Sequence, residues 1–277
     1  MPQAQVQEEN EILIPVSSYL RGREFEHLGN NGKYLALKEL VNQGFRPVYM
    51  PQLADSRVNG NLLWNRFYHA PSMIATGRMN NEPMVVFSHK DNYFSNPDNI
   101  KASINQGLVN YAGKIPQPEF KSMVDQDQIT DEQGNRLVYV LKGKEYQKFK
   151  DSKSGEIKVK HALEHPQTIP FLGGEERAKR YLARHKEVFG DKIGIWHSDD
   201  LADNPLAHVL CLGYGCSGSL YGDGLSNYAH FVGVRDAEGA QKIFRPSLEQ
   251  ILKALEGKCI PTSSIEVARS ELSPFYR

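Results

Sequence analysis

The chain is short of cysteine, of tryptophan and of any excess charge. Among 277 residues there are 3 cysteines and 2 tryptophans, and 33 basic residues balance 33 acidic ones. Three cysteines cannot form a disulfide framework, and an odd number is typical of a reducing compartment. Because the formal net charge is zero, a nucleic-acid-binding protein that depends on a large positive field is disfavoured.

Long hydrophobic runs are also missing. No segment approaches the roughly 18 consecutive apolar residues that a membrane-spanning helix needs. The first apolar run, at 12–16, is too short for the core of a signal peptide, and the ten residues at the N-terminus are polar and acidic. We therefore expect a loose tail at 1–10, no membrane association and a cytoplasmic location.

The residues that are present indicate a folded protein of the α/β or mixed α+β class. Hydrophobic residues make up 40% of the chain and aromatic residues 10%, which is enough for a sizeable core. Apolar runs at 83–87 and 193–196 predict strands, and helical spacing of apolar residues at 175–189 predicts a helix. The opening at 12–50 favours a β-α-β unit. We predict one domain over 11–277, with a central mixed sheet flanked by helices.

The composition changes between residues 113 and 170. Two prolines, an Asp- and Gln-rich run at 125–133 and a lysine-rich stretch at 142–160 lie in this part of the chain. The lysines are interpreted as surface charge. The segment is predicted to be an insertion or polar subdomain.

Two predicted strands each end in a His-x-Asp sequence, and these carry the leading hypothesis. Where strands run parallel, ligand sites gather beyond their carboxyl ends. Imidazole and carboxylate together suit Zn, Mn or Fe, and such a metal activates water for hydrolysis. We predict a metal site from His89, Asp91, His197 and Asp200, with Asp199 as a catalytic acid or base. The alternative is that these residues only form turns and helix caps.

A glycine-rich stretch, GYGCSGSLYGDG, follows a further predicted strand. Gly213, Gly215 and Gly218 match the start of a dinucleotide fingerprint, and Asp236 lies where a ribose-binding carboxylate belongs. This hypothesis implies NAD or another nucleotide as cofactor and needs a helix over 219–229. That segment is poor in helix formers. A phosphate-binding loop and a plain flexible loop are the alternatives.

A cysteine and a histidine near this stretch allow a third interpretation. Cys216 lies among the glycines and His230 begins the next predicted strand. A cysteine nucleophile needs a lowered pKa, which a neighbouring imidazolium supplies. The pair is a candidate catalytic dyad, and the alternative is that Cys216 has no chemical role.

Three functions follow from these patterns. The leading one is a metal-assisted or acid/base hydrolase that acts on a small polar or phosphorylated substrate. The second is a dinucleotide-binding oxidoreductase or transferase that uses residues 213–236. The third is a non-enzymatic binding or scaffold protein. The third would use a Tyr- and Phe-rich surface to bind a partner. A small-molecule ligand is expected, nucleic acid is not, and homo-oligomerisation stays open.

Overall fold

The computed structural model describes residues 14–17, 20–197, 204–214 and 219–236. These residues form twelve strands: β1 (Ile14–Ser17), β2 (Leu20–His27), β3 (Arg46–Pro47), β4 (Tyr68–Met79), β5 (Glu82–Ser88), β6 (Gly113–Lys114), β7 (Val138–Leu141), β8 (Gly155–Lys158), β9 (Lys192–Trp196), β10 (Leu206–Leu212), β11 (Ser219–Asp223) and β12 (Ala229–Asp236).

The described residues also form eight α-helices. They are α1 (Gly32–Asn42), α2 (Met50–Val58), α3 (Pro97–Asn105), α4 (Gln117–Asp125), α5 (Lys144–Asp151), α6 (Val159–Ala162), α7 (Thr168–Leu172) and α8 (Glu175–Phe189), with a 3-10 turn at Tyr93–Ser95. None of these helices is long and apolar enough to cross a membrane.

The strands join one mixed sheet. Its order is β1-β2-β12-β4-β10-β11-β9-β8, with β3 against β12, β5 against β4, β7 against β5 and β6 against β10. Most pairs are antiparallel, and β11 runs parallel to β9. The prediction of a mixed sheet accompanied by helices is therefore confirmed.

Both faces of the sheet are buried, and each face packs in its own hydrophobic cluster. Successive residues of a central strand therefore belong to different clusters. In β10, Leu210 belongs to one hydrophobic cluster and Val209 to the other. Phe87 and Val86 divide in the same way in β5. Successive side chains of a strand point to opposite faces, so these central strands consist almost entirely of apolar residues.

Different helices contribute to the two clusters. Residues of α2, α5, α6, α7 and α8 pack in the first cluster, which includes Phe149 and Tyr181. Residues of α1, α3 and α4 pack in the second, which includes Leu37 and Phe120. The spacing of Ala178, Tyr181 and Leu182 on α8 explains why this helix was predicted from sequence, because these positions share one face.

The predicted β-α-β opening forms in an unexpected way. Strands β2 and β3 flank α1 along the chain, but both pair antiparallel with β12, so that Gly233 faces Arg23 on one side and Pro47 on the other. Gly44 follows α1 with a φ of 76°, a conformation that glycine adopts without strain. Strands β2 and β3 thus run in the same direction, but β12 lies between them and runs in the opposite direction.

The segment 113–170 contributes strands to the main sheet. Strand β6 pairs with β10, β7 pairs with β5, and β8 pairs with β9. Its proposed boundaries as a subdomain stay a prediction.

The chain comprises two compact units. The first comprises residues 1–129 and 136–237, and the second comprises 130–135 and 238–277. Within the second unit, the structure describes 130–135, where Asp131 Oδ1 accepts hydrogen bonds from the Gln133 and Asn135 amides. Both hydrophobic clusters lie in the first unit.

Candidate ligand-binding site

A cavity of about 590 Å³ opens beside β9, β10 and β11, and we call it the first cavity. Its lining is aromatic and polar. The aromatic and imidazole side chains are Tyr111, Trp196, His197, His208, Tyr214 and Tyr221, and the remaining positions are Asn110, Gly213, Gly222, Asp223, Gly224 and Asn227.

Three of the lining rings are turned toward solvent. The exposed fractions are 66% for Tyr111, 56% for Tyr214 and 45% for Trp196. Exposed rings of this size are costly to leave in water and bury a large area when a partner covers them. The rim of the first cavity therefore offers an apolar surface for a ligand.

Asp223 lines the first cavity, and the buried side chains of Lys33 and His69 contact it from behind the lining; we call these three residues the floor. Lys33 Nζ donates to Asp223 Oδ2 at 2.7 Å and to the Tyr228 carbonyl at 2.9 Å. Burial raises the pKa of Asp223, but the His69 hydrogen bond and the Lys33 charge outweigh it and hold that pKa well below its ordinary value. Asp223 is therefore an anion, and the lysine cation offsets its charge.

His69 completes this floor as a neutral imidazole. Burial, followed by the Lys33 charge, lowers the pKa of His69 to about 4. Its Nδ1 accepts the His230 amide at 3.1 Å, so the proton resides on Nε2, which donates to Asp223 Oδ2 at 2.8 Å. The Gly224 amide donates to the other carboxylate oxygen at 2.9 Å. Asp223 thus ties β4, α1 and the turn after β11 together.

A buried arginine fixes another edge of the first cavity. Arg57 of α2 is 1% exposed and donates to the carbonyls of Gly213 and Arg66 at 2.9 and 2.6 Å. Its guanidinium lies 5.2 Å from the ring centre of Trp64 and 5.4 Å from that of Tyr68. These contacts hold the backbone that leaves β10, at the start of the glycine-rich stretch.

The predicted metal ligands are engaged in other contacts. His89 is 2% exposed and its Nε2 donates to the Pro170 carbonyl at 2.6 Å, whereas Asp91 is exposed. His197 lines the first cavity, lies 3.0 Å from the Ser152 hydroxyl and packs on Phe149. Asp199 and Asp200 lie outside the described residues.

Strand directions explain why the His-x-Asp sequences after β5 and β9 do not lie at the same edge of the sheet, as the metal-site prediction required. Strand β5 is antiparallel to β4, β4 to β10, and β10 to β11, and β11 is parallel to β9. The carboxyl ends of β5 and β9 therefore point in opposite senses. In the described part of the chain, no group of three or more His, Cys, Asp or Glu residues is placed to hold a metal. The prediction of a Zn, Mn or Fe site finds no support.

The nucleotide-binding prediction was wrong. A dinucleotide fingerprint needs a helix after the first strand, but residues 219–223 form β11, which pairs antiparallel with β10. Gly213 lines the first cavity, and Gly215 and Gly218 lie outside the described residues. Asp236 ends β12 as predicted.

His230 lies in a packed environment. It is 2% exposed, and its Nε2 lies 3.0 Å from Glu24 Oε2. Cys216, its predicted partner, lies outside the described residues, so the dyad stays a prediction. Cys211 is buried in β10 and donates to the Tyr221 hydroxyl, and burial raises the pKa of its thiol to about 12. That thiol is unreactive at neutral pH.

Sequence reasoning missed Lys33, His69, Arg57 and Asp223. One signal was available, because Asp223 is the only charged residue in GYGCSGSLYGDG. Its partner Lys33 lies 190 positions away along the chain, and no local pattern connects them.

The chain was compared with known proteins. No family model matches it, and no curated protein does. It is similar to a solved structure described as "Accommodation of massive sequence variation in Nanoarchaeota by the C-type lectin fold", with 42% identity and a TM-score of 0.69. The similarity covers 79% of this chain and 100% of that chain.

This relationship overturns the leading functional prediction. Similarity at this level points to a binding protein, and the described residues contain no metal-ligand group to support hydrolysis. The hydrolase prediction was therefore wrong, and the third hypothesis, a non-enzymatic binding protein, agrees best with the comparison. The chain belongs to the family of proteins with the C-type lectin fold.

Proposed function

We propose that this protein is a non-enzymatic binding protein that recognises a neutral, saccharide-like ligand in the first cavity. One observation carries the proposal. Exposed aromatic rings and amide side chains surround a cavity whose floor holds a compensated charge pair.

The charge of the floor supports a neutral ligand. Asp223 is the one carboxylate that lines the first cavity among the described residues, and Lys33 lies 2.7 Å from it. His69 adds no charge at neutral pH, since its pKa is about 4. A cation or an anion would have to compete with an ion pair that is already satisfied.

The chemistry of the rim supports a ligand that is both polar and apolar. Trp196, Tyr111 and Tyr214 offer flat faces, while the exposed side chain of Asn227 offers an amide donor and acceptor. Aromatic and amide side chains combine contact area with adaptable hydrogen bonding at low entropic cost. The ring and hydroxyl groups of a sugar match both features.

The residues available to contact a ligand differ from the residues that stabilise the fold. Tyr111, Trp196, Tyr214 and Asn227 are exposed, whereas the floor residue Lys33 is buried. The solved relative is described as accommodating massive sequence variation by this fold. We infer that substitutions at the exposed rim positions change ligand choice while the buried floor keeps the cavity in place.

A C-type lectin fold can bind calcium, so calcium is the metal to consider at the first cavity. It requires six to eight oxygen ligands, with several carboxylates. Within the described ranges no group of three or more His, Cys, Asp or Glu residues is placed to hold a metal ion, and both oxygens of Asp223 already accept hydrogen bonds. These residues do not fit a calcium ion, so the proposed recognition uses none of them as a calcium ligand.

An array of immobilised neutral oligosaccharides tests the proposal. We expect the wild-type protein to bind at least one neutral sugar on the array. Trp196→Ala and Tyr214→Ala should each weaken that binding about tenfold, since loss of a central aromatic contact costs on the order of 1–2 kcal/mol.

Val188→Ala is the matched control, because Val188 is an exposed apolar residue on α8 that does not line the first cavity. Thermal unfolding of each variant should stay within a few degrees of the wild type. Failure to bind any neutral sugar, or equal binding by the rim variants and the control, contradicts the proposal.

A further inference from the structure

Three aromatic rings form a continuous row that begins at the rim of the first cavity and extends beyond it. Tyr214 lines the first cavity, whereas Phe67 and Tyr228 do not. The ring centre of Phe67 lies 6.3 Å from that of Tyr214 and 4.7 Å from that of Tyr228. We call these three residues the aromatic ridge.

The strand order brings the three rings of the aromatic ridge together. Phe67 immediately precedes β4, Tyr214 lies two residues after β10, and Tyr228 immediately precedes β12. Strand β10 is antiparallel to β4, and β12 is parallel to β4. The end of β10 therefore meets the starts of β4 and β12 at the same edge of the sheet.

Buried imidazole rings hold two of the three aromatic rings in place. His69 lies edge-on to Phe67 and to Tyr228, with ring centres 5.5 and 6.1 Å apart. His230 lies edge-on to Phe67 at 5.9 Å. Both histidines are buried, whereas Phe67 is half-buried, Tyr228 is 41% exposed and Tyr214 is more exposed still. The aromatic ridge therefore combines fixed rings with apolar surface that a ligand can cover.

The charged groups beside the aromatic ridge are paired. Lys33 Nζ lies 5.8 Å from the ring centre of Tyr228 and forms an ion pair with Asp223. Glu24 lies 3.0 Å from His230 Nε2 and forms an ion pair with Arg66 at 2.8 Å. A charged ligand would compete with these pairs, so the ridge favours a neutral ligand, as the first cavity does.

From these features we propose that the aromatic ridge is a second subsite for the ligand of the first cavity, and that this ligand is a neutral oligosaccharide of several units. The inference rests on the proposed function, because the chain must begin with a sugar in the first cavity. The following units stack on Tyr214, Phe67 and Tyr228.

The shape of the aromatic ridge matches a sugar chain. The plane of Phe67 is tilted by 39° from that of Tyr214 and by 55° from that of Tyr228. Successive units of an oligosaccharide are rotated about their glycosidic bonds, so that each unit can turn one face toward one ring. A single sugar in the first cavity would leave this row of rings uncovered.

An array of glucose, mannose, galactose and N-acetylglucosamine, each as homo-oligomers of one to four units, tests the aromatic ridge. We expect at least one series to bind the wild-type protein. Its four-unit member should bind at least about twentyfold more tightly than its single sugar, since each added aromatic contact contributes about fivefold. Presentation of four equivalent units gives no more than about fourfold by itself.

Variants of the ridge separate its contribution from that of the first cavity. Tyr228→Ala and Phe67→Leu should each reduce the gain with length about fivefold. Tyr228→Phe keeps the ring and should keep the gain. Trp196→Ala, in the first cavity, should weaken binding at every length by a similar factor and so leave the gain unchanged. Thermal unfolding of each variant shows that it is folded.

The possible outcomes distinguish this proposal from the proposed function. A gain of no more than about fourfold in the wild type would overturn the aromatic ridge as a subsite and leave sugar binding by the first cavity intact. A full gain in folded Tyr228→Ala and Phe67→Leu, or its loss in Tyr228→Phe, would also overturn it. Binding to none of these sugars would contradict both proposals.

Discussion

At the scale of single residues, buried polar groups fix the floor of the first cavity. Asp223 accepts hydrogen bonds from Lys33, His69 and the Gly224 amide. A buried carboxylate is tolerated only when its charge is paired and its oxygens are hydrogen-bonded. The three contacts meet both conditions, and they place the backbone of residues 223–224 independently of the exposed rim.

Buried neutral histidines give the protein a defined sensitivity to acid. Burial lowers the pKa of His89 to about 4, whereas an unfolded histidine titrates near 6.5. Between these two values the unfolded chain binds the extra proton, so stability is complete above about pH 6.5 and is lost as the pH falls toward 4. His69 shifts in the same direction.

A His89→Gln variant tests this dependence. Glutamine keeps a donor for the Pro170 carbonyl but does not titrate. We expect the slope of unfolding free energy against pH, between pH 6 and 4.5, to fall by about 1.4 kcal/mol per pH unit relative to the wild type. Urea unfolding at a series of pH values measures it. Parallel slopes in the two proteins would show that His89 is already protonated when folded.

At the scale of elements, the N-terminus of α1 positions the loop between β11 and β12. The Asn31 amide donates to the Ser226 carbonyl at 2.9 Å, and Lys33 reaches the Tyr228 carbonyl. A Cβ on Gly32 would lie 2.7 Å from Tyr228 Cα and 2.8 Å from the Asn227 and His27 carbonyl oxygens. All three neighbours are backbone atoms, so a side chain at Gly32 must displace the loop.

We therefore expect Gly32→Ala to lower the unfolding free energy by about 1–3 kcal/mol, as overpacking does elsewhere. Amide hydrogen exchange in 224–229 should accelerate, because the loop must move to admit the methyl group. Leu35→Ala, at an exposed position of the same helix, serves as control. If Gly32→Ala matches the control in both stability and exchange, the close approach of α1 to this loop is wrong.

At the scale of the whole molecule, one sheet carries two hydrophobic cores. Adjacent residues of β10 enter different cores, with Val209 in one and Leu210 in the other, and both are fully buried. A strand with one wet face would alternate apolar and polar residues. The apolar run over β10 is therefore a consequence of burial on both sides.

Substitutions at these adjacent positions test the two-core arrangement. Val209→Ala should cost about 2 kcal/mol and Leu210→Ala about 3 kcal/mol of unfolding free energy, from lost burial and the cavity left behind. Val188→Ala, on the exposed side of α8, should cost less than about 0.5 kcal/mol. Urea unfolding of the three variants provides the measurement. A negligible effect at either β10 position would mean that one face of the strand is wet.

The bounds of several helices and strands could be predicted from the sequence. The helix α8 has its predicted bounds, and β5 and β9 lie within a residue or so of the predicted apolar runs. The glycine-rich stretch contributes Gly213, Gly222 and Gly224 to the lining of the first cavity, although the nucleotide role predicted for it was wrong. Each of these features depends on residues close together in the chain, where periodicity and glycine content are direct signals.

The relations between distant segments were decided by the tertiary structure. The opposite directions of β5 and β9 separated the two His-x-Asp sequences, and antiparallel pairing with β10 made a strand of 219–223, where the dinucleotide hypothesis needed a helix. The contact of Lys33 with Asp223 spans 190 residues. The amphipathic elements follow from neighbouring residues alone, because side-chain periodicity is local. The strand order determined which side chains share a cavity, because pairing partners are selected by burial across the whole sheet.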